Sequence, residues 1–599
     1  MSAHDDGTRP HGGGGESRAA RWRAWWRWKP EAISARFVAL VAGIIFFFLA
    51  VLTQGVLPFI EPSARTSEVT AVVRTDYGQL KWMLSDATDY TPTQRLGRQV
   101  YLREGCWYCH SQYVRPVTGE TRRWGPVSEA GEYAYDVPHL FGTRRIGPDL
   151  TRVGLKFSNE WHFAHFWNPR ELLPDSIMAP YRGLFDTPRD PVKIVDDGAG
   201  NRTLENNAIT QKLFDFASKV QIKLTPNPGG LLFVPLEARD KAPVILIPNN
   251  EYIGNTVMIA AETKELESLI AYLQKLGMNR GKWRDVFEPQ QLEVTQATLP
   301  RSSEWIAYGR VVYERRCLGC HGVKGDGNGP AATFLYRQRP RSFAAAVFKF
   351  RLTKEPVPTD GDLLRTITRG VRGTAMPPWY ELPLTDRLAV IQYIKYELAV
   401  DRSDPAKPYS FFIEEPPGAP LYIQRPPAPS QQILARGKEV WRIAKCWECH
   451  GNTGKGDGEK AAGLKDDLGF PIPPADLTTG QFKSGPAVED IFRTMTTGLS
   501  GTPMPNYRDS LPEEDRWALA YYVLSLSAFT DPITGEPLPI ASADRTALND
   551  PKLQADTPDK AYIPNGRAQR TGGSKAARGN PREEATAKQP QAAAKENER

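Results

Sequence analysis

Cys-x-x-Cys-His occurs three times in the chain. The copies are Cys106-Trp107-Tyr108-Cys109-His110, Cys317-Leu318-Gly319-Cys320-His321 and Cys446-Trp447-Glu448-Cys449-His450, and they use all six cysteines. Two thiols at this spacing can each add to one vinyl group of a haem, and the histidine that follows can face the iron as proximal ligand. The chemistry indicated is one-electron transfer at three covalently attached haem c groups. Other cysteine chemistry fits less well. A structural zinc site takes four ligands, usually from two close cysteine knuckles, whereas these pairs lie more than a hundred residues apart. A redox dithiol of the thioredoxin kind needs no histidine after it.

Each iron then needs a sixth ligand, and a methionine raises the reduction potential relative to a second histidine. The chain has eight methionines. Gly373-Thr374-Ala375-Met376-Pro377 places Met376 55 residues after His321, and Gly501-Thr502-Pro503-Met504-Pro505 places Met504 54 residues after His450. The matched flanks assign Met376 and Met504, with Met495 read as a packing residue. After His110 the best candidate is Met178, in Ser176-Ile177-Met178-Ala179-Pro180-Tyr181; Met258, Met278, His139, His162 and His165 are the others. Only one ligand is needed, so the three histidines are read as surface or core residues. Pro148, Pro340 and Pro474 follow the three motifs, and each could offer its carbonyl to the proximal histidine's N–H, which would orient the ring.

These groups must be held by small helical units. The expected fold is mainly α: one N-terminal transmembrane helix, then three class I cytochrome c domains, the first with an insertion that contains short strands. In each domain a helix precedes the haem motif, and loops, the distal methionine and a last helix follow. Val390, Tyr393 and Ile394 lie on one face of a helix that starts near Leu384, and Trp517, Ala520, Tyr521 and Leu524 share i, i+3, i+4, i+7 spacing after Pro512. The domain plan is a basic N-terminus (1–35), the membrane helix (36–60), a first haem domain (61–285) with an insertion near 187–256, a second (302–400), a proline-rich linker (401–430), a third (431–529) and a largely disordered tail (530–599). Leu231-Leu232-Phe233-Val234 and Val244-Ile245-Leu246-Ile247 suggest strands within the insertion. The glycines after the second and third motifs, such as Gly325 and Gly454, follow no strand and precede no Gly-Lys-Ser/Thr, so they read as haem-wrapping loops rather than a phosphate cradle.

Residues 37–60 carry no charge, a length that spans a bilayer core. Arg18, Arg21, Arg23, Arg27, Lys29 and Arg36 precede them, which puts the N-terminus in the cytoplasm and the haem domains in the periplasm. Trp22, Trp25, Trp26 and Trp28 suit the headgroup level. The apolar run is longer than a signal-peptide core and no Ala-x-Ala site follows it, so a retained anchor is expected. It contains no histidine or acid, so a partner must supply any redox centre within the membrane. The net charge of +7 shows no basic stripe with interleaved aromatics, which argues against nucleic acid.

One block goes beyond a generic haem domain. Gly97-Arg98-Gln99-Val100-Tyr101 leads into Arg103-Glu104-Gly105 and the first haem motif. Ser111-Gln112, Val114-Arg115-Pro116, Gly125-Pro126-Val127-Ser128-Glu129-Ala130-Gly131-Glu132-Tyr133 and Gly147-Pro148-Asp149-Leu150 follow. It resembles the mono-haem subunit II of cbb3-type cytochrome c oxidases over residues 36–285, excluding the insertion. The two later domains look like the di-haem part of subunit III of the same oxidases. The resemblance implies an electron-transfer subunit in a bacterial inner membrane with no oxygen-reducing centre of its own. It would take electrons from reduced cytochrome c or a cytochrome bc complex and pass them to a catalytic membrane subunit holding haem b and copper. On matching positions Cys106, Cys109, His110 and Met178 would hold the first haem, although the family's Met-Pro is Met178-Ala179-Pro180 here. Three rivals stand beside this reading: a nitric oxide reductase partner, the tri-haem cytochrome subunit of a quinone-linked dehydrogenase, and a scaffold in which the haems only stabilise folds.

Overall fold

The computed structural model describes residues 35–61, 66–186 (less 118), 192–196, 202–204, 256–257, 261–287 and 298–538 (less 336–338, 356, 404–405 and 470–471). Met258, the runs 231–234 and 244–247, the basic and tryptophan-rich N-terminus up to 34, and residues 539–599 lie outside the described residues.

Helix α1 (Ala35–Ala50) continues helically through Ile60. Its stretch Phe37–Val56 is the one helix among the described residues long and apolar enough to cross a membrane. Twenty residues at 1.5 Å rise make about 30 Å. Its large side chains, Phe46, Phe47 and Phe48 among them, are exposed. That pattern fits a membrane anchor.

A β-hairpin follows, β1 (Glu68–Arg74) paired antiparallel with β2 (Leu80–Asp86), Val72 opposite Trp82. Sequence reading did not anticipate it. Four of the five residues in Val69-Thr70-Ala71-Val72-Val73 are β-branched, the composition a buried strand favours, and all of β1 after Glu68 is buried.

Three helical units come next, and the same device builds each. The first packs α2 (Pro92–Arg103) on α4 (Lys264–Lys275), with α3 (Asn159–Trp167) between them in sequence; the short α5 (Trp283–Phe287) follows. The second packs α6 (Ser303–Arg316) on α8 (Leu384–Tyr393), with α7 (Asp360–Arg369) between. The third packs α9 (Gln431–Ile443) on α11 (Glu513–Ser525), with α10 (Val488–Thr497) between. Thr91, Ser302 and Ser430 cap the three opening helices through hydroxyls that accept from Gln94, Trp305 and Ile433 N–H.

Where the first and last helices cross, a glycine lets the backbones touch. A Cβ on Gly97, Gly309 or Gly437 would lie 1.8, 2.0 or 2.1 Å from the carbonyl oxygens of Ser268, Ala389 and Ala518. One turn later an aromatic pair closes the crossing: Tyr101 with Tyr272, Tyr313 with Tyr393 and Trp441 with Tyr522, at ring separations of 5.4, 5.3 and 5.7 Å. Glycine weakens a helix, and here the closer packing it permits offsets that cost.

The units form one packed body. Cys320, Ala331 and Phe334 of the second unit share a core with Phe166 and Leu172 of the first. Arg315 pairs with Asp175 at 2.8 Å. Asp490 of the third unit receives Arg365 and Arg369 of the second at 3.0 and 2.9 Å. At the centre, Asp285 of α5 lies between Arg74 of β1, at 2.7 Å, and Arg372 of the second unit. Arg74 also donates to the carbonyl of Pro486, in the third unit.

The proline-rich linker is folded onto its neighbours. Val400–Asp401 pairs with Tyr409–Ser410, and the Tyr521 hydroxyl donates to the Pro427 carbonyl. The expected disorder of the tail does not begin at 530. Phe529 N–H donates to the Arg74 carbonyl, and Leu538 N–H returns to the Phe529 carbonyl. In the insertion, Val192–Asp196 pairs with Arg202–Leu204 and Thr256–Val257.

Replacing Gly437 by alanine should cost about 1–3 kcal/mol through overpacking at the α9–α11 crossing. The check is the thermal midpoint of the haem-loaded chain. A lower midpoint is expected, and an unchanged one would contradict the crossing geometry.

Candidate haem sites

The haem motifs sit at the ends of the opening helices, each as a single turn. His110, His321 and His450 N–H groups donate to the carbonyls of Cys106, Cys317 and Cys446, at 3.0, 2.9 and 2.9 Å. That turn places both cysteines and the histidine on one wall.

In the first unit this wall belongs to a cavity of about 560 Å³ lined by Cys106, Cys109, His110 and Met178. Leu269 and Leu273 of α4 and Phe166 of α3 add apolar surface. In the third unit Cys446, Cys449, His450 and Met504 line a cavity of about 170 Å³, with Met495 beside them. In the second unit His321 stacks on Phe343 at 4.6 Å, next to Cys317 and Cys320.

No cysteine is joined to another in a disulfide. Burial pushes the thiols of Cys106, Cys317, Cys320 and Cys446 up to about 12, unlike a reactive dithiol, whose pKa is depressed. Burial also lowers the pKa of His321 to about 4, and those of His110 and His450 below the ordinary value. A neutral imidazole is what an iron ligand requires.

Each proximal ring is oriented by a backbone carbonyl. His110 Nδ1 lies 2.8 Å from the Pro148 oxygen, as expected from sequence. In the later units the partner is one residue further on: His321 meets Arg341 and His450 meets Ala475, both at 3.3 Å. The reason is the glycine loop. The Pro340 and Pro474 carbonyls turn onto Gly327 and Gly456, where a Cβ would lie 2.4 and 2.8 Å away. In the first unit Gly147 cradles the His110 ring, and a Cβ there would come within 2.2 Å of it.

The three methionines occupy equivalent loops. Met178, Met376 and Met504 N–H each donate to a hydroxyl two residues earlier: Ser176 at 3.3 Å, Thr374 at 3.1 Å and Thr502 at 3.2 Å. Three residues after each methionine, the N–H of Tyr181, Trp379 or Tyr507 donates to the helix carbonyl of Phe166, Ile367 or Met495, at 2.8, 3.1 and 2.8 Å. Met178-Ala179-Pro180 therefore builds the same loop as the two Met-Pro sequences. The hydroxyl at the second position before each methionine is visible in sequence as Ser176, Thr374 and Thr502, and sequence reading gave it no role.

The rival residues separate. Met278 is buried outside the cavity wall, and His139 is engaged with the Asp136 carbonyl at 2.7 Å. His162 and His165 do line the first cavity. Both nitrogens of His162 and Nδ1 of His165 have no hydrogen-bond partner among the described residues, and burial lowers both pKa values to about 3. They are uncharged walls of the cavity, with Trp161 stacked on His165 at 4.6 Å.

A polar strap fixes the carbonyl at Pro148. Asp149 accepts from the Ser111 hydroxyl at 2.6 Å and from Tyr113 N–H at 3.0 Å. Arg145 donates to Ser111, to the Tyr113 carbonyl and to Glu120. Hydrogen bonds from Arg145, and then from Arg115, outweigh burial and hold the Glu120 carboxyl down at about 2. The second unit also reaches this site: Pro378 and Tyr380, just after Met376, line the first cavity.

Comparison with known families agrees with this geometry. Residues 79–279 match the family described as cytochrome c oxidase, mono-haem subunit/FixO. Residues 306–394 match cytochrome c oxidase, cbb3-type, subunit III, and residues 434–527 match cytochrome c. A solved structure, the Kuenenia stuttgartiensis reducing HAO-like protein complex Kustc0457/Kustc0458, is similar at 35% identity. The likeness covers 38% of this chain and 99% of that one, with a TM-score of 0.35. Among curated proteins no match was found. The protein is a multi-haem electron-transfer cytochrome with covalently bound haem c. It joins a mono-haem subunit of the cbb3-type oxidase family to cytochrome c domains, the first of them of the subunit III type.

Glu120 has a folded pKa below its ordinary 4.5, so its contribution is full above that value and is lost as pH falls from 4.5 toward 2. Thermal midpoints of the wild type and Glu120→Gln should differ at neutral pH and converge as pH falls below about 4. A gap independent of pH would contradict the strap.

Proposed function

We propose that the chain is the electron-input subunit of a cbb3-type haem–copper oxygen reductase, carrying three haem c groups on one membrane anchor. The observation that carries this reading is the recurrence of one site design three times, in a chain whose first unit matches the mono-haem oxidase subunit. On this reading the haem domains run over 61–285, 302–400 and 431–529. The N-terminus lies in the cytoplasm and the haem domains in the periplasm of a bacterial inner membrane.

Cys106 and Cys109, Cys317 and Cys320, and Cys446 and Cys449 hold the haems covalently. His110, His321 and His450 are the proximal ligands, and Met178, Met376 and Met504 the distal ones. The largely apolar cavities of the first and third units, the neutral histidines and the Gly147 cradle fit such a group. When bound, haem supplies the one-electron chemistry, and methionine ligation sets a higher potential than a second histidine would. The residues do the positioning. The backbone carbonyls hold the proximal rings in orientation, the Ser/Thr-capped loops fix the methionines, and the apolar walls limit water.

Reduced cytochrome c or a cytochrome bc complex delivers electrons to the second and third units, and the first passes them to a catalytic subunit with haem b and copper. Pro378 and Tyr380 against the first cavity support direct exchange between the second unit and the first.

Two experiments test this. Purification through this chain in mild detergent should recover haem b and copper alongside three c haems, with oxygen uptake driven by reduced cytochrome c. A preparation with only c haem on a flavin or quinoprotein dehydrogenase would overturn the oxidase reading, and nitric oxide uptake without oxygen uptake would redirect it. Met178→Ala should abolish the methionine-ligated signature of one haem in three while leaving three covalent haems. A full set of methionine signatures in that variant would transfer the ligand role to another residue.

A further inference from the structure

Three lysines line the third cavity. Lys445 pairs with Glu448 at 3.8 Å, and the electron-transfer reading uses neither of the other two. Lys483 belongs to the third unit, in Gln481-Phe482-Lys483-Ser484. Lys349 belongs to the second, in Val347-Phe348-Lys349-Phe350, and crosses the interface to line the same cavity as Cys449, His450 and Met504. The two hold equivalent places in the repeat, each after a phenylalanine buried in its own unit's core.

Neither ammonium group has a hydrogen bond or ion pair with a described residue. Burial pushes the Lys483 pKa down to about 8, with Arg341 adding repulsion. Lys349 is driven well below its ordinary value by burial first, then by Lys483 and Arg341. Of the two acids that act on Lys349 from nearby, Asp466 accepts from Leu468 N–H at 3.1 Å and Asp467 is engaged with Arg341 at 2.6 Å. Among the described residues no acid pairs with either amine, and holding positive charge on both in this buried place costs several kcal/mol by general estimates, so a negative group bound here would be what stabilises their charged forms. The cavity's occupant on the reading above brings two carboxylates, the propionates of haem.

We infer that Lys349 and Lys483 together bind the propionates of the haem held by Cys446 and Cys449, with Lys349 supplied by the neighbouring domain. This rests on the haem reading of the third cavity. Two consequences follow. The paired cations raise that haem's potential, because reduction adds negative charge beside them. The side chain from the second unit also ties haem binding in the third cavity to the docking of the two domains.

The test is a potentiometric titration of the full-length chain in detergent, comparing the wild type with Lys349→Met, Lys349→Arg and Lys483→Met. Covalent haem is counted in each, and the third unit's wave is assigned through Met504→Ala. In the methionine variants that wave should fall by at least about tenfold in its equilibrium constant, ~59 mV for a one-electron couple, with three haems retained. Lys349→Arg should restore it. If Lys483→Met does not retain haem, Lys349→Met decides alone, since Lys349 lies in the other unit. An unmoved wave in Lys349→Met with three haems present would overturn the inference. A wild-type chain with no haem at Cys446 and Cys449 would instead overturn the underlying reading, and this inference with it.

Discussion

The relative placement of the three units depends on one buried charge. Asp285 is almost fully enclosed, and it is satisfied only if Arg74 and Arg372 reach it together. Burial by itself would raise its pKa; the two guanidinium groups win, and the carboxyl stays below its usual range. Arg74 simultaneously holds the Pro486 carbonyl, and Lys282 beside it donates to the Thr479 and Thr530 carbonyls of the third unit. A hairpin and short helix of the first unit thus fix a loop of the second and two of the third. Removing one member of such a cluster leaves uncompensated charge in the interior, typically a loss of about 3–5 kcal/mol. Surface ion pairs such as Arg103 with Glu265 carry no such weight.

Around that cluster the sites differ in ways that bear on function. The first has the larger cavity, a histidine-lined wall and a rim closed by Pro378 and Tyr380 of the second unit. The third is lined by three lysines and takes one of them, Lys349, from the second unit. The second unit is therefore shared between its neighbours. That arrangement suits a relay, since the first and third sites both take residues from the second unit. Fusing the units on one anchor replaces docking of separate chains with fixed interfaces.

What the sequence revealed follows from range. The haem motifs, Met376 and Met504 depend on spacing within a few residues or on a repeated loop, and a single chain displays both. Met178 was readable for the same reason, though its Ala179 obscured the match until the Ser176 and Tyr181 hydrogen bonds showed the loop to be the same. The proximal carbonyls of Arg341 and Ala475 were missed by one residue, because glycine loops rotate the preceding prolines away. The β1–β2 hairpin carries a strand signal in 69–73, but its partner strand 80–86 has no such run of β-branched residues. The Arg74–Asp285–Arg372 cluster and the meeting of Lys349 with Lys483 join residues far apart in the chain, and no local pattern announces them. Residues 530–538 read as tail by composition, yet Lys282 donates to the Thr530 carbonyl and Leu538 N–H to the Phe529 carbonyl.

The most direct test of a fixed relay is internal electron redistribution after photoinjection of a single electron, in the wild type and in Asp285→Ala. The expected wild-type result is first-order equilibration among the haems at a rate independent of protein concentration. In Asp285→Ala, with covalent haem content unchanged, that phase should slow and become heterogeneous as the units separate. Equal, homogeneous rates in both proteins, or a wild-type rate that scales with concentration, would contradict an array held together by this buried charge.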